Sequence, residues 1–165
     1  MQIPGIDYTE KFSPVAQPSS VRIVLVMVLW LFWGCELIDI EAAFLEGKLR
    51  VSTFTELPPG LVELGFMTQE EYDETCIELM GSMYGNVDSA LNYFTKFKEV
   101  ATSEDGLNLK QSKADPCLFY EKDVNGTTIG VIVVYVDDCL IAGEQEFIGR
   151  MKLKLKREFG VVEDG

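Results

Sequence analysis

Histidine is missing from this 165-residue chain altogether, and with it go every Ser/His/Asp triad, every Cys/His dyad and every histidine-ligated metal site. Whatever chemistry the chain performs must run on carboxylates, Lys, Tyr, Cys or Ser. Cysteine is sparse and scattered: Cys35, Cys76, Cys117 and Cys139 form no CxxC pair. That spacing supports neither a zinc ribbon nor a thioredoxin-like motif and points to a reduced, intracellular chain. No GxGxxG and no GxxxxGK(S/T) occurs, so phosphate cradling by a glycine-rich loop is unsupported. The longest apolar run, Ile23 to Trp33 between Arg22 and Gly34, is shorter than the roughly 18 residues a membrane span needs. The opening Met1-Gln-Ile-Pro-Gly has no basic stretch leading into an apolar one, so no signal peptide is expected. A cytoplasmic or nuclear setting without a membrane is the expectation.

Positive charge is also scarce. Fourteen Lys and Arg face 27 Asp and Glu, a formal charge of −13, which argues against wrapping an anionic polymer unless the cations are clustered. Residues 1–95 hold only Lys11, Arg22, Lys48 and Arg50, whereas Arg150, Lys152, Lys154, Lys156 and Arg157 crowd into eight positions near the end. With 47% hydrophobic residues the length suits one domain with a substantial core.

Pro4, Pro14 and Pro18 predict an irregular segment over residues 1–18. Ser19 and Ser20 then predict the cap of a helix running to about Trp33 and stopped by Gly34. A strand follows over 35–41, then a short helical piece from Ala42 to Leu45. Pro58-Pro59-Gly60 marks a turn, and Thr68-Gln-Glu-Glu is a capping-box start for a short acidic helix. Asp88 or Ser89 caps a helix with Leu91, Phe94, Phe97 and Val100 on its apolar face. Val124-Asn125-Gly126 joins two strand-like runs as a hairpin. The apolar run from Ile129 to Val136 stops at Asp137-Asp138 and resumes at Cys139, which predicts two strands around a tight acidic turn. A last helix spans about Glu144 to Phe159. This order fits an α+β fold, a mainly antiparallel sheet with helices packed on one face.

The carboxylates of Asp137 and Asp138 have no cation beside them in sequence, and a divalent metal is the partner that makes physical sense. A third acid, Asp39, at the end of another strand would complete a Mg²⁺ site. Two such cations about 3.5–4 Å apart activate a hydroxyl and steady the leaving oxygen in phosphoryl displacement. A plain exposed turn is the alternative, and spacing alone favours it.

Tyr135-Val136-Asp137-Asp138 resembles the signature turn of reverse transcriptases, set between apolar strands as in that family. The rest of the chain is similar to the palm region of copia-type retrotransposon reverse transcriptases, in the same order. Gly5-Ile-Asp-Tyr with Phe12-Ser-Pro-Val-Ala resembles the family's opening segment, and Ser20-Val-Arg-Ile its first palm helix. Ile38-Asp39-Ile40-Glu41-Ala42-Ala43-Phe44-Leu45-Glu46-Gly47 resembles the first catalytic motif. Glu56-Leu-Pro-Pro-Gly, Ser82-Met-Tyr-Gly and Ala114-Asp-Pro-Cys-Leu-Phe-Tyr are further matches.

The resemblance implies an RNA-directed DNA polymerase that uses Mg²⁺, with Mn²⁺ as a substitute. Asp39, Asp137 and Asp138 are the catalytic and metal-binding acids. Phe44 would exclude a ribose 2′-hydroxyl, although a core aromatic is its plainer role. Tyr135 would lie beneath the primer end, and Lys152 or Lys154 would meet the departing pyrophosphate. Partners implied are an RNA or DNA template with primer, deoxynucleoside triphosphates and the remainder of a polyprotein.

The chain departs from the family pattern at Asn86-Val-Asp-Ser-Ala-Leu-Asn-Tyr, where Asp88 stands at an expected nucleotide contact; Gly-Asn-Val-Asp is similar to algal elements of this type. The basic fingers segment, the thumb and the ribonuclease H are not expected within residues 1–165, which read as a single partial palm, 19–165, behind its irregular opening. A catalytically inactive truncated or domesticated remnant, serving as a structural or interaction module, is the alternative. An acidic Ca²⁺-binding domain fails for want of a DxDxDG loop.

Overall fold

The computed structural model describes residues 12–83, 85–160 and 162–164. The elements are α1 (Pro18–Leu31), β1 (Gly34–Ile40), a 3₁₀ turn (Ala43–Glu46), β2 (Thr53–Thr55), α2 (Gln69–Glu74), β3 (Ile77–Leu79), α3 (Ser89–Thr102), β4 (Lys110–Gln111), β5 (Leu118–Lys122), β6 (Thr128–Tyr135), β7 (Asp138–Gly143), α4 (Gln145–Phe159) and β8 (Val162–Asp164). Six strands form one antiparallel sheet in the order β4-β5-β6-β7-β1-β8, and β2 pairs with β3 as a separate ribbon.

Strand alternation divides the core. Ile38, Ile40, Ile132, Val134, Cys139 and Ile141 face Tyr93, Phe97 and Ala101 of α3 and Phe147, Ile148, Met151, Leu155 and Phe159 of α4. The expected helices on one face are α3 and α4. The odd-numbered Val131 and Val133, with Ala142, turn the other way and pack with Val24 of α1, so α1 lies across the second face. Gly130 lets α4 sit close: a Cβ there would stand 2.2 Å from the Phe147 ring.

Several local expectations need correction. Helix α1 begins at Pro18, with Gln17 as its cap, not Ser19 or Ser20; proline at the first helical position has its φ already set and lacks an N–H that would go unbonded there. The Gln17 amide donates instead to Asp115 Oδ2 at 2.9 Å, and Asp115 Oδ1 accepts from the Cys117 amide at 2.9 Å. Buried Asp115 thus ties the start of α1 to β5. The same helix stops at Leu31 rather than Trp33, because Phe32 takes a left-handed conformation and the Trp33 amide turns back to the Val28 carbonyl; Gly34 then opens β1 instead of ending the helix. On α3 the expected Phe97 and Val100 pack on the main core together with Tyr93 and Ala101, while Phe94 joins the α1 side. The first eleven residues of the predicted irregular segment fall outside the described residues; 12–17 carry no regular structure. Among the described residues no helix is long and apolar enough to cross a membrane.

Candidate active site

The β6–β7 hairpin closes on two residues, Val136 and Asp137, with Tyr135 opposite Asp138. Across the neighbouring strand Asp138 is in register with Asp39, so Tyr135, Asp138 and Asp39 form one transverse row. Directly opposed antiparallel residues project to the same face, here the face away from α3 and α4. Asp137 joins the row through the backbone: the Ile40 amide donates to its carbonyl at 3.3 Å. On the far side of β1, Asp39 is also in register with Glu163 of β8. All three aspartates are half-buried.

The local electrostatics follow from this crowding. Burial first, then the charges of Asp137 and Asp39, raise the pKa of Asp138 above its ordinary value. The Cys139 thiol, fully buried behind the row, is pushed up by burial and by the same three acids. Val136 holds a φ of 59°, which is uncommon for a β-branched side chain and places strain at the tip of the acidic turn.

An apolar cavity of about 250 Å³ adjoins that tip, lined by Pro14, Val15, Ala90, Tyr93, Phe94 and Val136 among others. Tyr93 is 1% exposed and its hydroxyl has no hydrogen-bond partner among the described residues. Burial, with the charges of Asp137 and Asp39 among the lesser contributions, drives its pKa far upward, so it is a neutral phenol. Sequence reasoning missed both Tyr93 and Val136. An aromatic in a helical apolar stripe reads as core, and a strained valine leaves no mark in a pattern of residue types.

The remaining candidates divide. Phe44 follows β1 in the 3₁₀ turn, half-buried, its ring edge-on to Tyr93 with centroids 6.5 Å apart. Tyr135 is 53% exposed in the row with the acids. Asp88 is 4% exposed at the start of α3, where its Oδ2 accepts from Asn92 Nδ2 at 2.9 Å. Lys152 pairs with Glu36 at 2.6 Å, on the α4 side of the sheet, and Lys154 Nζ donates to the Gly106 carbonyl at 2.7 Å. The structure therefore sets Asp39, Asp138 and Tyr135 in one row with Asp137 at the adjoining turn; Phe44 packs on the α3 side with Tyr93, and neither lysine nor Asp88 is brought to the row.

Carboxylate oxygens are the donors that Mg²⁺ and Mn²⁺ take, and the pKa of Asp138 is raised by burial first and then by the charges of Asp137 and Asp39, a repulsion that a cation would relieve. Among the described residues no three acidic or sulfur side chains are gathered closely enough to hold an ion in the arrangement seen. The fit is therefore one of donor type and backbone placement.

Residues 1–164 match the family described as reverse transcriptase (RNA-dependent DNA polymerase). The chain is 30% identical over 162 residues to the retrovirus-related Pol polyprotein from transposon TNT 1-94 of Nicotiana tabacum, covering 98% of this chain and 11% of that protein. It is 31% identical over 163 residues to the corresponding polyprotein from transposon RE2 of Arabidopsis thaliana, with 98% and 10% covered. For transposon RE1 of the same plant the identity is 32% over 142 residues, 86% of this chain and 9% of that protein. The chain thus spans about a tenth of the length of these relatives. No solved structure matches significantly.

Proposed function

This chain belongs to the reverse transcriptase (RNA-dependent DNA polymerase) family, and on that premise we propose that it is the polymerase palm of a copia-type retrotransposon polyprotein, a single domain that adds deoxynucleotides to a primer on an RNA or DNA template. The observation that carries the reading is the row Tyr135, Asp138, Asp39, with Asp137 bonded through its carbonyl to Ile40. Two sheet neighbours and one tight turn bring the backbones of three acids to one end of the sheet, which supports a site where charge is held against phosphate.

In this reading Asp39 and Asp137 hold divalent cations, Mg²⁺ or Mn²⁺, with Asp138 beside them. When bound, two such ions supply activation of the primer 3′-hydroxyl and neutralisation of the leaving oxygen. The chain's own residues position and select. Tyr135 offers an exposed ring at the end of β6 for the primer terminus. Phe44, braced by Tyr93, walls the sugar against a 2′-hydroxyl. Val136 and the cavity beside it give the incoming nucleotide an apolar surface. Lys152 and Lys154 serve the fold, and the reading gives them no share of the chemistry. With a charge of −13, the chain relies on other parts of a polyprotein for most phosphate contacts. The setting is intracellular, cytoplasmic or nuclear.

Primer extension on an RNA template with Mg²⁺ or Mn²⁺, run beside Asp137→Asn, tests the reading. Incorporation by the wild-type chain that is lost in the variant supports it. Incorporation that survives in Asp137→Asn removes it. A second reading, a catalytically silent structural or interaction module, is favoured by the acidic charge and by the apolar outer surface of α1; absence of incorporation by both proteins moves the weight there.

A further inference from the structure

Helix α1 buries Val24 against the sheet and turns the opposite side outward. Ile23, Val26, Leu29 and Trp30 share that outer face at helical spacing, with Leu25 at its margin, and Leu29 is 78% and Trp30 81% exposed. The face continues into Phe32, 95% exposed and held at a φ of 54°, a conformation uncommon for a residue with a side chain. The one charge on the helix is Arg22. Contiguous apolar surface of this size marks an interaction site on a water-exposed protein.

We propose that this face is the interface of a homodimer, α1 packing antiparallel on α1 of a second copy. Ile23, Val26, Leu29, Trp30 and Phe32 are each 60% or more exposed, an unbroken apolar strip along α1 that the same strip of a second copy would cover. Charge selects next: in a chain of −13, no acid lies between residues 18 and 35, so this is a surface on which two copies meet without apposing their carboxylates. It also lacks the acids with which a basic partner would be recognised. Symmetry supplies the register. A two-fold axis at Val26 leaves Arg22 and Trp30 each four residues from the axis, so antiparallel packing lays each Arg22 guanidinium against Trp30 of the second copy, a cation–π contact. The two Arg22 side chains are kept at opposite ends. Parallel packing would bring them together.

Sedimentation velocity over a range of concentrations tests this on the intact chain, with Leu29→Glu/Trp30→Glu as the variant; both positions are exposed, and circular dichroism checks that it folds. The wild type is expected to dimerise and the double variant to weaken the dimer at least ~10-fold. Added salt is expected to strengthen the wild-type dimer by screening the acidic surfaces. Val26→Cys is expected to form a cross-linked dimer under mild oxidation faster than the wild type, with its own exposed Cys35. A wild-type chain that stays monomeric overturns the proposal, as does a dimer unaffected by the glutamates. A monomer that binds phosphatidylcholine vesicles through Trp30 also overturns it and assigns the face to a lipid surface.

Discussion

The Ile40 main-chain amide donates to the Asp137 carbonyl at 3.3 Å, a bond that joins the end of β1 to the β6–β7 turn. It fixes the acidic turn against the strand that carries Asp39, so the spacing of the acids is set by the backbone and not by long flexible side chains. Placing like charges together in this way opposes folding unless something neutralises them.

That opposition has a pH signature. The folded pKa of Asp138 is raised above its unfolded value of 3.8 by burial and then by Asp137 and Asp39. Its contribution to stability is therefore fully present below the unfolded value and lost as pH rises through the folded one. Asp137→Asn removes one of the repelling charges, and urea denaturation across a pH series is expected to show a flatter stability profile above pH 3.8 than the wild type. An unchanged slope would mean that the acids do not interact.

Asp115 titrates in the other direction. Burial works against its charged form, but hydrogen bonds from Ser20, the Gln17 amide and the Cys117 amide outweigh it and hold the pKa below the ordinary value. Stability from this carboxylate is present above the unfolded value and lost as pH falls through the folded one. Asp115→Ala leaves those donors unpartnered and is expected to cost about 2 kcal/mol at neutral pH, measured by urea denaturation; an effect within noise would remove Asp115 as the tie between α1 and β5.

The Tyr93 hydroxyl is buried without a partner among the described residues, so Tyr93→Phe is expected to leave stability unchanged or to raise it by about 1 kcal/mol. A clear loss would show that the hydroxyl is satisfied by water within the adjoining cavity.

Phe44 is braced by that ring. Phe44→Ala is expected to cost about 2 kcal/mol of stability, less than the loss of a fully buried phenylalanine. In a primer-extension assay it should also narrow the preference for deoxynucleotides over ribonucleotides. Loss of stability with discrimination intact would leave Phe44 a core residue only.

Much of this arrangement was readable in the chain. The acidic turn stood out because an apolar run broke at Asp137-Asp138 and resumed at Cys139, and Thr68 and Glu71 form the expected reciprocal cap of α2. The short strands were not readable: Thr53–Thr55 and Ile77–Leu79 are too brief for alternation to register, and pairing partners more than twenty residues apart leave no local pattern. Lys152 and Lys154 looked available in a basic run, yet tertiary neighbours decide where flexible side chains go, and Glu36 and the Gly106 carbonyl took them. Asp88 reads as a helix cap or a nucleotide contact, but tertiary packing around the first turn of α3 buries it beside Asn92. Strain at Val136 and the orphaned Tyr93 hydroxyl belong to the assembled fold alone.

Titration of Mn²⁺ followed by paramagnetic resonance tests the central claim most directly, because it reads the cation site whether or not the isolated chain extends a primer. Saturable binding by the wild type, weakened at least tenfold in Asp39→Asn and again in Asp137→Asn, is the predicted result. Binding that is absent in the wild type, or indifferent to both substitutions, would contradict the assignment of these aspartates as a metal site.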